Sequence, residues 1–189
     1  MLSSESLQAC GISNGELYCW GNNFDGQLGT GSSSTRETSP VRVGGHADWE
    51  LVSVGSSNAC GIRAGELYCW GDNEYGQLGD DTLTARNTPG RVGTASDWTF
   101  VATAVNYVCG LRAGALYCWG ENNIGQLGDG TTTDRRTPVR IGAAADWDFV
   151  AAWGHTCGLR AGQLYCWGRD SEGAIGLDRN WRPTHVMLP

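Results

Sequence analysis

Four near-copies of one twelve-residue segment run through the chain: CGISNGELYCWG from Cys10, CGIRAGELYCWG from Cys60, CGLRAGALYCWG from Cys109 and CGLRAGQLYCWG from Cys157. The copies start 50, 49 and 48 residues apart. A period of that length marks one supersecondary unit used repeatedly, each unit burying its apolar side against its neighbours rather than within itself. Any fold for this chain therefore has to give four equivalent units equivalent surroundings.

A unit reads roughly L-V-x-x-G-x-x-x-x-C-G-L-R-A-G-x-L-Y-C-W-G-x-N-x-x-G-Q-L-G, then a polar stretch, then P-x-R-V-G and D-W. Asp48-Trp49, Asp97-Trp98 and Asp146-Trp147 separate the units, and the opening MLS aligns with Leu51 to Ser53, just after where another Asp-Trp would stand. The chain thus reads as a single repeat domain over 1–189, with units at approximately 1–49, 50–98, 99–147 and 148–189. Within a unit, short apolar runs are bounded by Gly, Asn and Pro, and no helical period persists. WELVSVG, ACGIR, ELYCWG and the segment around PVRVG read as four short antiparallel strands. Four strands in about 50 residues is the arithmetic of a β-propeller blade, each blade covering its neighbour's face; a solenoid of sheets is the alternative. The expected fold class is all-β. The 29 glycines recur in phase and are flanked by aromatics, which identifies them as turn positions rather than a low-complexity tract.

The net charge is −7, and all thirteen basic residues are arginine, scattered along the chain. A nucleic-acid binder needs a clustered basic surface to neutralise phosphates, and none is visible, so nucleic acid is not an expected partner. The chain is 40% hydrophobic without a long apolar run, and no membrane insertion is expected. The start MLSSESLQAC has neither the charged nor the apolar region of a signal peptide.

CWGNNFDGQLGTG, CWGDNEYGQLGDD and CWGENNIGQLGDG share W-G-x-N-x-x-G-Q-L-G, preceded by a hairpin and followed by a proline-containing strand. In this combination the chain resembles the regulator of chromosome condensation repeat family, and the doubled cysteines are similar to those of its bacterial extracellular members. The likeness covers essentially the whole chain. The fourth copy, CWGRDSEGAIGLD, departs from it: Asp170 replaces the asparagine and Ala174-Ile175 the Gln-Leu pair. The resemblance implies a propeller typically of seven blades, of which four units would subtend about four-sevenths of a circle. An open arc, a ring completed by another copy and a longer parent protein all fit that arithmetic. The two end units present unlike edges, and such edges favour head-to-tail association into rings or filaments.

The cysteines admit a geometric reading. A two-residue turn at Asn14-Gly15 makes 13 face 16, 12 face 17, 11 face 18 and 10 face 19. Counting outward, Cys10 and Cys19 form a non-hydrogen-bonded pair, where Cα atoms lie closest and a cross-strand disulfide is within reach. The same count pairs Cys60 with Cys69, Cys109 with Cys118 and Cys157 with Cys166. Ala-Gly in the later copies is a poorer turn of this kind, because alanine resists positive φ. A three-residue loop with a bulge would shift the register by one. Free structural thiols and two four-thiolate zinc sites are the alternatives, although the spacing of eight intervening residues is not that of a zinc knuckle. Paired cysteines persist in oxidising surroundings and point to an extracellular or cell-surface location.

Of the nine tryptophans, seven fall at two repeat-equivalent positions and read as packing between units; Trp153 and Trp181 break the pattern and are the candidate surface contacts. The Asn and Asp of GDNEYGQLGDD read as solvated turns with Asx hydrogen bonds rather than a calcium loop. His155 is equivalent to Gln8, Asn58 and Tyr107, all hydrogen-bonding side chains, which suggests a structural bond there. His46 and His185 have no matching nucleophile and carboxylate, and no catalytic residue, metal ligand or cofactor site is nominated. The expected function is a secreted or surface scaffold of disulfide-stapled repeats that binds a protein or assembles with itself, head to tail. A protein-binding regulator or inhibitor acting through a propeller face is the alternative, and an enzyme is not expected. Variation concentrates in TGSSSTRETSP, DDTLTARNTPG and DGTTTDRRTPV, where such a module would bind.

Overall fold

Strict alternation in the L-Y-C-W run gives each unit two different apolar faces, and the chain folds to bury both. The computed structural model describes residues 1–5, 7–169 and 182–186, and among them there are sixteen strands and no helix. The first unit contains β1 (Leu2–Glu5), β2 (Gln8–Ser13), β3 (Glu16–Asn22) and β4 (Arg36–Arg42); the second, β5 (Trp49–Val54), β6 (Asn58–Arg63), β7 (Glu66–Gly71) and β8 (Arg86–Arg91). The third contains β9 (Trp98–Thr103), β10 (Tyr107–Arg112), β11 (Ala115–Gly120) and β12 (Arg135–Arg140); the fourth, β13 (Trp147–Ala152), β14 (His155–Arg160), β15 (Gln163–Gly168) and β16 (Thr184–His185). Each unit is a four-stranded antiparallel meander paired in chain order, as the repeat predicts, and each is a propeller-type blade.

On β7, Leu67 and Cys69 face forward to the third blade, while Tyr68 and Trp70 face back to the first. We call these the disulfide face and the tryptophan face. Three apolar layers result, one at each junction. In the first, Cys10, Leu17, Cys19 and Leu28 meet Trp49, Val52, Val54 and Trp70. The second and third repeat it with Cys60, Leu67, Cys69 against Trp98, Val101, Trp119, and with Cys109, Leu116, Cys118 against Trp147, Val150, Trp167. The first strands of consecutive blades also touch one another, so the four sheets fan out from a common inner edge as an open arc.

The hairpin between the second and third strands fixes the register. Asn14 and Gly15 have φ of 52° and 77°, and Ala64-Gly65, Ala113-Gly114 and Ala161-Gly162 adopt the same conformation, with φ of 47–49° at alanine. Positive φ at both central residues is the type I′ turn, whose twist matches that of the flanking strands. Alanine is thus held in the left-handed region, where its Cβ crowds the following carbonyl. At two of these turns the next blade docks on the glycine, Trp98 N–H donating to Gly65 O and Trp147 N–H to Gly114 O, each at 2.9 Å, while Ala161 keeps the same φ without such a bond among the described residues. A shifted loop would forfeit that bond.

Ala113→Asn should raise stability by roughly 0.5–1 kcal/mol, because asparagine tolerates the left-handed region that alanine resists. The urea midpoint should rise with an unchanged slope, and Ala113→Val should lower it.

Candidate functional site

The junction between blades is the recurring structural device of this molecule, and its two halves left without a partner are its first candidate site. At each internal junction the indole N–H of the C-W-G tryptophan crosses to the preceding blade. Trp70 donates to Gln27 O at 2.9 Å, Trp119 to Gln77 O at 2.9 Å and Trp167 to Gln126 O at 3.0 Å. The accepting loop is braced from within by the same glutamine, whose Oε1 receives the backbone N–H of Asp25, Tyr75 or Ile124. Asn23, Asn73 and Asn122 hold the loop's two ends together: Oδ1 accepts from Leu28, Leu78 and Leu127 N–H, and Nδ2 donates to the carbonyls of Ser34, Thr84 and Thr133. These asparagines are buried rather than solvated, which corrects that part of the sequence reading, whereas its Asx hydrogen bonds are present at Asp72 and Asp80. Reaching across eleven residues at once requires an amide with both a donor and an acceptor, and that requirement draws the side chain inward.

Close approach explains the glycine after the first cysteine. A Cβ on Gly110 would lie 2.9 Å from the Trp98 ring, which crosses its own sheet there to meet Trp119 edge-on at 5.9 Å. The lead-in tryptophans Trp49, Trp98 and Trp147 differ from the C-W-G set in one respect: their indole N–H groups are buried without a hydrogen-bond partner among the described residues.

The cysteines sit on the disulfide face. Cys10 bonds Cys19, Cys60 bonds Cys69, Cys109 bonds Cys118 and Cys157 bonds Cys166, each pair directly opposed with Cα atoms 4.1 Å apart. Free cysteines are absent among the described residues, as is any group of three His, Cys, Asp or Glu that could hold a metal.

At the two ends the same positions are uncovered. Leu2 is 68% exposed, whereas its equivalents Val52, Val101 and Val150 are 0–2% exposed. Trp20 is half-buried, whereas Trp70, Trp119 and Trp167 are fully buried. On the fourth blade Leu159 is 41% exposed against 1% for Ile62 and 3% for Leu111, and Cys157 is only half-buried. Gly162, unlike Gly65 and Gly114, has no neighbouring chain packed on its turn among the described residues. The first blade therefore shows a bare tryptophan face and the fourth a bare disulfide face, the two complementary halves of one junction.

The remaining sequence candidates are dispersed. Trp153 is 66% exposed in the turn before β14; Trp181 lies outside the described residues. Gln8 donates to Gly55 O and Asn58 O, and Tyr107 to His155 O, linking turns of adjacent blades. Asn58 and the side chain of His155 make no such bond among the described residues, so the expected hydrogen bond belongs to two of the four positions. Gln27, Gln77 and Gln126 are functional positions that the sequence signals only as a polar residue recurring in phase between Gly and Leu. No helix among the described residues is long and apolar enough to cross a membrane.

The family model of the regulator of chromosome condensation (RCC1) repeat matches residues 14–62, 64–111 and 113–159, and a second model of the same repeat matches 49–77. Human WBSCR16 is similar over all of this chain and 53% of its own, with a TM-score of 0.89 and 22% identity. Prp20p of Saccharomyces cerevisiae, described with its binding to Gsp1p and histones, is similar over all of this chain and 50% of its own, with a TM-score of 0.85 and 19% identity. The ectodomain of the receptor kinase CR4 of Physcomitrella patens is similar over 89% of this chain and 41% of its own, with a TM-score of 0.53 and 23% identity. This chain thus spans about half the length of the solved structures it matches. No curated protein sequence matches it at a significant level.

Trp119→Phe should destabilise the chain by about 1–2 kcal/mol more than Trp98→Phe, since only the former strands a buried carbonyl that had a donor. Thermal or urea unfolding of both variants measures the difference. Replacing Cys109 and Cys118 together by serine should cost roughly 2–3 kcal/mol on the chain-entropy account, and less if the hairpin persists in the unfolded chain.

Proposed function

Because the chain belongs to the regulator of chromosome condensation (RCC1) repeat family, matched over residues 14–62, 64–111 and 113–159, we propose that it is a non-catalytic, protein-binding scaffold of disulfide-stapled blades that joins head to tail through its two uncovered faces. The observation that carries this reading is the exposure of Leu2 and Leu159 at positions which the internal junctions cover, fully at Val52, Val101, Val150, Ile62 and Leu111 and partly at Ile12. Three junctions in the same molecule specify what such faces accept: the disulfide face takes a tryptophan face and the reverse. Two unlike, complementary faces make a heterologous contact, which closes into a ring or continues as a filament according to the rotation per step. The four disulfides support an extracellular or surface location, since such bonds persist in oxidising compartments. That a receptor-kinase ectodomain has a similar fold agrees with this location. A second reading, regulation of another protein through the loop face, draws on the exposed Trp153 and on the protein partners named for Prp20p.

Light scattering and electron microscopy should show concentration-dependent species built in steps of 20.2 kDa. Leu2→Asp removes one face and Leu159→Asp the other, so each variant alone should remain monomeric. Mixed together they should form a single heterodimer through the two intact faces. A wild-type chain that stays monomeric at high concentration overturns the proposal of self-assembly.

A further inference from the structure

The antiparallel order of each blade sends its first and third connections to one end of the sheet and its second connection, with the link to the next blade, to the other. Six large apolar side chains are exposed in connections, namely Leu7, Phe24, Leu83, Val105, Ile124 and Trp153, and all six lie at the first of these ends. Among the described residues the opposite end exposes no large apolar side chain in its connections. Burial within the arc does not explain this division, because these residues touch no junction core.

Ionic groups divide the same way. At the opposite end carboxylates meet arginines: Glu16 with Arg42, Asp48 with Arg63, Glu66 with Arg91, Asp97 with Arg112 and Asp146 with Arg160. At the apolar end Asp80 and Asp129 pair with Arg86 and Arg135. There Asp25, Asp72, Glu74, Asp81, Glu121 and Asp134 have no arginine partner among the described residues, against the four unpaired arginines Arg36, Arg136, Arg169 and Arg182, the last two on the fourth blade. The carboxylates converge between the second and third blades, where Glu74 first, then Glu121, burial, Asp134 and Asp72 raise the Tyr75 phenol above its ordinary value. Ile124 stands in the same loop as Glu121, beside the turn that carries Val105: Glu121 N–H donates to Asn106 O, and Asn106 Nδ2 to Glu121 Oε2 at 3.1 Å. The next turn along the arc carries Trp153 and is tied on by the Tyr107–His155 bond.

We propose that this end of the arc, centred on Val105, Ile124 and Trp153 and bordered by Glu74 and Glu121, is a docking surface for a protein segment carrying basic and apolar side chains together. Exposed apolar groups supply the area, and the carboxylate excess supplies the sign of the partner by complementarity. The loops are held in advance by the buried Asn73 and Asn122, so little ordering remains to be done on binding. This surface is distinct from the two blade faces and does not depend on head-to-tail growth.

The test uses a fluorescent twelve-residue peptide in which arginine alternates with leucine and phenylalanine, one twin with serine at the apolar places, and another with glutamate for arginine. Anisotropy is measured with the Leu2→Asp chain, in which assembly is stopped and the docking surface is intact, and repeated with the wild type. The first peptide should bind and its twins should bind at least tenfold more weakly. Ile124→Ser with Trp153→Ser should weaken binding at least tenfold, and Glu74→Gln with Glu121→Gln should weaken it while flattening its dependence on salt. Asp148→Asn, at the opposite end, should change neither. An unchanged melting temperature in these surface variants excludes unfolding as the cause. Equal binding of the serine twin, indifference to the four substitutions, or no binding of any peptide overturns the proposal. None of these outcomes bears on assembly, which is read from mass.

Discussion

The indole N–H of the C-W-G tryptophan in the second, third and fourth repeats has to leave its own sheet and find a carbonyl in the blade before it. A buried indole N–H without an acceptor costs roughly 1–3 kcal/mol, and this acceptor exists only if the G-Q-L-G loop of the preceding blade is already shaped. The loop's shape in turn rests on an asparagine that ties its ends and a glutamine that braces its turn. One hydrogen bond per junction therefore couples the interior of one unit to the surface of the next. Junctions of this sort add nearly independently along the row, so stability should grow with the number of junctions rather than with any single core.

The alternation that makes this possible is simple. Successive residues of a strand point to opposite faces, so L-Y-C-W assigns leucine and cysteine to one junction and tyrosine and tryptophan to the other. The disulfide consequently does more than staple a hairpin: it forms part of the wall on which the next blade's tryptophans rest. In the first three blades the bridge is shielded by the neighbour, and in the fourth Cys157 is left half-covered.

Much of this was legible in the sequence, for physical reasons that can be named. The period gave the four blades, and the two-residue turn gave the register, because counting outward from a type I′ turn leaves no freedom within the hairpin. The reading weakened wherever the deciding partner lay in another unit. Alanine at positive φ is unfavourable locally, and what its turn meets, an N–H from the next blade on Gly65 and on Gly114, lies outside the hairpin. The asparagine of W-G-x-N looks like a solvated turn residue and is in fact buried, since its partners lie five and eleven residues away. His155 shares its position with Gln8 and Tyr107 yet not their bonds: its backbone carbonyl, rather than its side chain, meets the neighbouring blade. Which strand ends share a surface, and hence that exposed apolar groups and unpaired carboxylates coincide, follows from topology and is invisible to a linear scan.

An arc of like blades meets the difficulty that any repeated interface meets: the interaction that joins unit to unit has no internal reason to stop. Closed barrels and complete propellers remove the problem by using every face, whereas a row leaves two. A charged or proline-rich edge would have blunted those faces, and the first blade instead shows Leu2 and Trp20 while the fourth shows Leu159 beside its disulfide. Such side chains are the ones a junction needs rather than the ones that guard against it. Covering the fourth blade would also complete the shielding of the Cys157–Cys166 bridge that the other three already have. Under the proposed head-to-tail contact, one event, the arrival of another tryptophan face, would both cover the fourth blade and conceal its disulfide.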